Sequence, residues 1–151
     1  MSGRPDIGQV FRDAYPGASR WTRETTKAVQ ENGFVETLFG YCLFVPEDRP
    51  YAGVDYIIQG TAGDICKNAM IRCGKVLEKA DFPGKLLLQV HDELIFEFPH
   101  PDTLKERDKL LTVLKQLKNE MQGAGEDLEI CTPVEFSEIR ESWDKAKPLG
   151  I

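Results

Sequence analysis

One long helical pattern constrains the fold of this chain more than any other feature of the sequence. Between Ile58 and Leu77, apolar residues recur at three- and four-residue spacing for several turns, whereas Asp64, Lys67 and Arg72 stand mostly off this stripe. The pattern predicts an amphipathic helix from roughly Val54 to Lys79. Such a helix must bury its stripe against other elements, and 151 residues with 41% hydrophobic side chains are enough to build one core.

The segment "KLLLQVHDELIFEF", residues 85–98, predicts a β-hairpin. Two runs of strand-forming residues flank His91 and Asp92, which leaves the length of a two-residue loop. Such loops favour Asn-Gly or Asp-Gly, because their backbone requires positive φ angles. An unfavourable turn dipeptide between favourable strands indicates that something other than folding selected it.

The other segments supply helices and short strands. Asp6 to about Asn32 predicts two helices interrupted at Pro16-Gly17, and Pro101 to Met121 predicts another. "FVETLFG" and "CLFVP" predict a second hairpin, "LEICTPVEFSEI" a final strand, and "SWDKAKPLGI" a tail. We therefore expect an α+β fold, in which a small antiparallel sheet of the 85–98 hairpin and the C-terminal strand packs against several helices.

Composition disfavours several classes of protein. A net charge of -6 opposes independent binding to phosphates, so nucleic acid would need a local basic patch or a basic partner. Four cysteines without a C-x-x-C pair, together with two histidines, disfavour a zinc site. No apolar leader or spanning run is present, so we expect a cytoplasmic protein without a membrane partner.

Asp92 and Glu93 are the candidate chemical groups of the predicted hairpin. Adjacent carboxylates are the hard ligands that Mg²⁺ prefers, and two-metal sites use them for in-line phosphoryl displacement. Acidic residues at a turn are, however, more often simply solvated. The dipeptide alone favours that second interpretation.

Longer strings resemble the family A, DNA polymerase I-like, DNA polymerases. Gln89-Val90-His91-Asp92-Glu93 is similar to the motif C signature Q-V-H-D-E of that family, and Gln59 to Asp64 is similar to its Q-G-T-A-x-D helix. "GFVETLFG" and "VEFSEIRESW" resemble further family segments in the same order. The resemblance implies a C-terminal polymerase segment, with an end-of-fingers part at residues 1–53 and a palm-like part at 54–151.

The resemblance also implies roles for individual residues. Asp92 would bind catalytic Mg²⁺, and Glu93 would bind or support the metals. Gln59 and His91 would contact the minor groove at the primer end, where donors can test base pairing without reading sequence. The alternative for His91 is a turn residue satisfied by the backbone, and the alternative for Gln59 is a polar residue at the N-terminus of a helix.

Departures from the family pattern limit what this chain does alone. The motif A aspartate and the nucleotide-binding helix are absent, so we expect inactivity without a second chain that carries them. Asp55 stands where many family members have a DNA-contacting asparagine, and Tyr41-Cys42 stands where basic residues are common in the family. The short link before the long helix resembles the links of bacteriophage enzymes, and its Arg49 could supply one phosphate contact. The intact enzyme would bind primer-template DNA and dNTP in a bacterial or phage-infected cell.

Two further expectations concern partners and function. An open strand edge near Leu86, Leu88 and Val90 predicts self-association or pairing with a partner strand. The alternative function is a non-catalytic palm remnant that binds DNA or replication proteins.

Overall fold

The computed structural model describes residues 6–140 and 142–150. Its helices are α1 Ile7–Ala14, α2 Pro16–Asn32, α3 Gly53–Lys79 and α4 Leu104–Gln122. Its strands are β1 Phe34–Glu36, β2 Cys42–Phe44, β3 Lys85–Val90, β4 Glu93–Glu97, β5 Phe136–Glu138 and β6 Lys147–Leu149. These helices and small antiparallel sheets confirm the α+β class.

The sheet arrangement differs from the prediction that the 85–98 hairpin and the C-terminal strand share one sheet. The described strands form three two-stranded antiparallel sheets, namely β1–β2, β3–β4 and β5–β6. The expected partner of the hairpin, β5, pairs instead with β6, which lies in the segment predicted to be a tail. The pattern of residues does not predict this strand, because proline is unfavourable inside a sheet. Proline is nevertheless tolerated at a sheet edge, where Pro148 lies opposite Ser137. The pair Phe136–Leu149 supplies an apolar cross-strand contact.

The chain divides into two compact units, one ending at Thr61 and the other beginning at Ala62. In the first unit, Val29, Val35 and Val45 form a small buried core. Helix α2 ends at Gly33, whose φ of 79° lies in the left-handed region and whose N–H donates to the carbonyl oxygen of Val29 at 2.7 Å. Glycine adopts this geometry at low cost, so the chain can leave the helix directly into β1.

Gly60 marks a close approach between α3 and hairpin β1–β2 in this unit. A Cβ atom at position 60 would lie 2.8 Å from Cγ2 of Thr37 and would also clash with Leu43. One residue later, the hydroxyl oxygen of Thr61 accepts a hydrogen bond from the N–H of Leu38 at 3.0 Å. The Q-G-T string therefore has a packing explanation for its last two residues.

We expect Gly60→Ala to lower the free energy of unfolding by about 1–3 kcal/mol, because the added methyl overpacks the contact with Thr37 and Leu43. Gly63→Ala on the same helix is the matched control, since nothing lies within 4 Å of its added Cβ. That control should stabilise by about 0.5–1 kcal/mol through helix propensity. Urea denaturation of both variants measures the difference. Equal shifts for the two would contradict the packing.

The core of the second unit lies between α3, α4 and the 85–98 hairpin. Its buried residues are Cys73, Phe82, Val113, Leu114 and Leu117. Burial, with the nearby carboxylate of Glu120, raises the pKa of the Cys73 thiol to about 11. Helix α4 begins with a capping box, in which the hydroxyl of Thr103 accepts from the N–H of Glu106 and the Glu106 carboxylate accepts from the N–H of Thr103.

Arg72 ties α3 to the end of α4 and to the 3₁₀ turn Gly123–Leu128. Its Nε lies 2.7 Å from Oε2 of Glu120, and its Nη1 donates to the carbonyl oxygen of Gly123 at 2.9 Å and to Glu126 at 3.2 Å. Asn68 adds a bond of 2.8 Å to the carbonyl oxygen of Ala124. The charge-assisted bonds of Arg72 and the amide bond of Asn68 together fix this glycine-rich connection against α3.

None of the helices in the described part of the chain is both long and apolar enough to cross a membrane.

Candidate metal and nucleic-acid site

A tight turn presents the acidic pair of the 85–98 hairpin. Strands β3 and β4 pair down to Val90 opposite Glu93, so the loop is His91 and Asp92, as predicted. His91 has a φ of 53°, in the left-handed region. The side-chain amide of Gln89 donates to the carbonyl oxygen of His91 at 2.8 Å and holds this backbone in place. Gln89, His91 and Asp92 of the Q-V-H-D-E string thus form the turn itself.

We expect His91→Gly to raise the free energy of unfolding by about 1 kcal/mol, because a side chain with Cβ is strained at positive φ and glycine is not. His91→Ala removes the same imidazole but keeps the Cβ, so it should give no such gain. Thermal denaturation of the two variants separates backbone strain from loss of the ring. Equal midpoints would show that the turn stores no strain.

Asp92 and Glu93 are both exposed, one in the loop and the other at the first position of β4. Both line a cavity in the second unit. Within residues 6–140 and 142–150, no group of three or more His, Cys, Asp or Glu side chains is arranged to hold a metal ion. Mg²⁺ is commonly held by one or two carboxylates together with waters and substrate phosphates, and the pair at 92 and 93 fits that role.

Cys66 is a neighbour of this site that the sequence did not indicate. Burial raises the pKa of its thiol, and the carboxylate of Asp92 raises it further. The charge of Asp92 therefore acts on a side chain of α3 within the second unit. No spacing in the sequence relates positions 66 and 92.

The other predicted site residues, Gln59, Asp55 and Arg49, belong to the first unit. Gln59 and Asp55 are exposed on α3, and Asp55 lies in its first turn, where a carboxylate favours the helix dipole. The Nε of Arg49 lies 3.6 Å from Oδ2 of Asp48, and both side chains are exposed. His91, Asp92 and Glu93 stand together on one turn of the second unit.

Asp64 has a buried carboxylate, and the sequence analysis assigned no role to this residue. Its side chain is only 6% exposed, and Oδ1 lies 3.1 Å from Nζ of Lys67. Oδ2 is buried without a hydrogen-bond partner in the part of the chain that the structure describes. The only sequence signal for this residue is its place in the Q-G-T-A-x-D string.

The comparison with known families identifies the family to which these strings belong. The sequence model for DNA polymerase family A matches residues 6–145, nearly the whole chain. The chain belongs to DNA polymerase family A.

Members of the family with curated names agree with this assignment. DNA polymerase I of Lactococcus lactis subsp. lactis (strain IL1403) is 32% identical over 150 residues, which cover 92% of this chain and 16% of that protein. The thermostable DNA polymerase I of Thermus thermophilus is 32% identical over 147 residues, 91% of this chain and again 16% of that protein. The chain therefore spans about a sixth of the length of these family A relatives.

A solved family A structure shares the fold. The POL domain of Pol1 from M. smegmatis, in complex with DNA primer-template and dNTP, superimposes with a TM-score of 0.61 at 27% sequence identity. The match covers 76% of this chain and 21% of that one.

Proposed function

We propose that this chain is the C-terminal part of a template-directed DNA polymerase and contributes the motif C carboxylates to nucleotidyl transfer. The observation that carries the proposal is the Q-V-H-D-E turn, whose backbone is fixed by Gln89 and which leaves Asp92 and Glu93 exposed at one rim. Membership of DNA polymerase family A supports it. Residues 1–53 would be the fingers-like part and 54–151 the palm-like part.

Asp92, with support from Glu93, is proposed to hold Mg²⁺ in the assembled enzyme. When bound, Mg²⁺ neutralises charge on the reacting phosphates and activates the primer hydroxyl. The protein contributes two hard oxygen donors and a turn that cannot easily move them, because the Gln89 bond and the strand pairing constrain the loop. Preorganisation of this kind keeps the ligands in position without rearrangement during the reaction.

Gln59 and His91 are proposed to contact the primer end of the DNA. Both side chains are exposed polar groups. Minor-groove acceptors occupy similar places in every Watson–Crick pair, so donors at these two positions would accept correct pairs of any sequence. Arg49 is a candidate phosphate contact, and the carboxylate of Asp55 would weaken the contact at its position.

The partners proposed for the intact enzyme are primer-template DNA, dNTP and a polypeptide that carries motif A and the nucleotide-binding helix. The M. smegmatis relative is described as a complex with DNA primer-template and dNTP. This chain alone has one pair of metal-binding carboxylates on the hairpin and should be inactive. We further propose that the intact enzyme is of the bacteriophage type and acts in the cytoplasm of a bacterial or phage-infected cell.

A chimera tests the proposal most directly. In DNA polymerase I of Lactococcus lactis, the matched segment is replaced by this chain, and Mg²⁺-dependent primer extension is measured. We expect template-directed extension, because the relative supplies the parts that this chain lacks. A folded chimera that binds primed DNA but does not extend it would contradict the catalytic role.

The second candidate function is a non-catalytic module that binds DNA or replication proteins. Asp55, the pair Tyr41-Cys42 and the net charge of -6 favour such a module over independent DNA binding, because each reduces attraction to phosphate. A titration of primed duplex against the chain at rising salt separates DNA from protein partners. Binding that weakens steeply with salt would indicate DNA, and no binding at low salt would leave proteins as the partners.

A further inference from the structure

The side chain of Gln89 is bound to the backbone of the turn that carries Asp92. Its Nε2 donates to the carbonyl oxygen of His91 at 2.8 Å, two residues further along the chain. His91 itself has a φ of 53°, which is strained for a residue with a Cβ atom. The free-energy cost of this conformation and the net gain from one hydrogen bond are of the same order. The Gln89 bond therefore offsets the strain that His91 brings into the turn.

The register of the hairpin places the Gln89 side chain away from Glu93. Gln89 pairs with Leu94, and Val90 pairs with Glu93. Cross-strand partners share a face of the sheet, and successive residues of a strand point to opposite faces. The Gln89 side chain thus lies on the face opposite Glu93, and its amide supports the turn without competing with that carboxylate for a cation.

We propose that Gln89 is a positioning residue for Asp92, and that its amide acts through the carbonyl oxygen of His91 and not through a contact with DNA. The hydrogen bond limits rotation about the backbone bonds next to Asp92, so the carboxylate is held in one position before a cation arrives. Without the donor, the strain at His91 is unopposed and the turn relaxes into other conformations. This inference rests on the proposed function, because it assumes that Asp92 binds Mg²⁺ in the intact enzyme.

Gln89→Met in the full chain tests whether the bond holds the turn in the absence of metal and DNA. Methionine is similar in length to glutamine but has no donor, so the bond to His91 is lost. NMR relaxation of the unsubstituted chain should give amide order parameters of about 0.85 for Asp92 and Glu93, and the variant should lower them toward about 0.6. Gln116→Met, at an exposed position of α4 outside the cavity, is the matched control and should leave both amides unchanged. Equal order parameters with and without the Gln89 amide would overturn the inference.

The chimera with DNA polymerase I of Lactococcus lactis tests the consequence for the metal. With a primer that lacks its terminal hydroxyl no reaction occurs, and binding of Mn²⁺, followed by electron paramagnetic resonance, reports the site alone. We expect Gln89→Met to weaken Mn²⁺ binding by at least about threefold, because one hydrogen bond is lost. The Mg²⁺ concentration needed for half-maximal extension of a normal primer should rise by a similar factor. The KM for primer-template should not change, because the Gln89 amide does not contact the DNA.

The measurements separate failure of this inference from failure of the proposed function. An unsubstituted chimera that does not extend primers would contradict the proposed function, and the inference would fall with it. In an active chimera, a raised KM for primer-template with unchanged Mn²⁺ binding would make Gln89 a DNA contact and overturn the inference. A lower midpoint of thermal unfolding with unchanged Mn²⁺ binding would also overturn it, because Gln89 would then be only a structural residue.

Discussion

Asp92→Asn in the chimeric polymerase is expected to lower Mg²⁺-dependent primer extension by at least about 10²-fold, the size of effect seen when one stabilising group is removed from a reacting phosphate or oxyanion. Asparagine keeps the size of the side chain but removes the negative charge that binds a hard cation. The residue is exposed in a loop, so the free energy of unfolding should change by no more than about 0.5 kcal/mol. The steady-state rate of primer extension, measured beside urea denaturation, separates these effects.

Asp108→Asn is the matched control for that prediction. Asp108 is an exposed aspartate of α4 that lies outside the cavity, so the same change of charge there should leave extension unaffected. Glu93→Gln should have a smaller effect than Asp92→Asn if Glu93 supports the metals without binding them directly. Full extension by the Asp92 variant would remove Asp92 from the site and with it the basis of the proposed function.

The largest effect on stability is expected at Leu117. This side chain of α4 is fully buried in the core of the second unit, which also contains Cys73 of α3. Leu117→Ala should lower the free energy of unfolding by about 2–5 kcal/mol, because apolar burial is lost and a cavity remains. Urea denaturation followed by circular dichroism measures the change.

Leu104→Ala provides the comparison on the same helix. Leu104 begins α4 and is 81% exposed, so its truncation should change stability by no more than about 0.5 kcal/mol. Losses of similar size for the two variants would mean that α4 does not bury the face described here.

Local patterns in the sequence predicted those elements whose cause is local. Helix α3 follows from a repeating apolar stripe, and the two-residue loop follows from the spacing of two strand-forming runs. Strand β6 was missed because it is short and contains Pro148, and its pairing with β5 depends on a contact between Phe136 and Leu149. Pairing between separate segments is decided by tertiary packing, which periodicity does not report.

The candidate site divides in the same way. The sequence around Asp92 predicted an exposed acidic pair on a tight turn, because the residues that form the turn are the same residues that form the Q-V-H-D-E string. The influence of Asp92 on the Cys66 thiol and the buried, half-satisfied carboxylate of Asp64 were not readable, since both depend on which atoms surround them after folding. The strain at His91 was indicated only as an unusual turn dipeptide.

The bonds from α3 to the segment Gly123–Leu128 have a consequence for proteolysis. Its glycines and acidic residues are of the kind found in exposed loops that proteases cut readily. Here Ala124 and Gly125 are buried, and Arg72 and Asn68 hold the carbonyl oxygens of Gly123 and Ala124. A protease must draw several residues into an extended conformation before it can cleave. Cleavage in this segment would therefore report the separation of α3 from the end of α4, and not the flexibility of a surface loop.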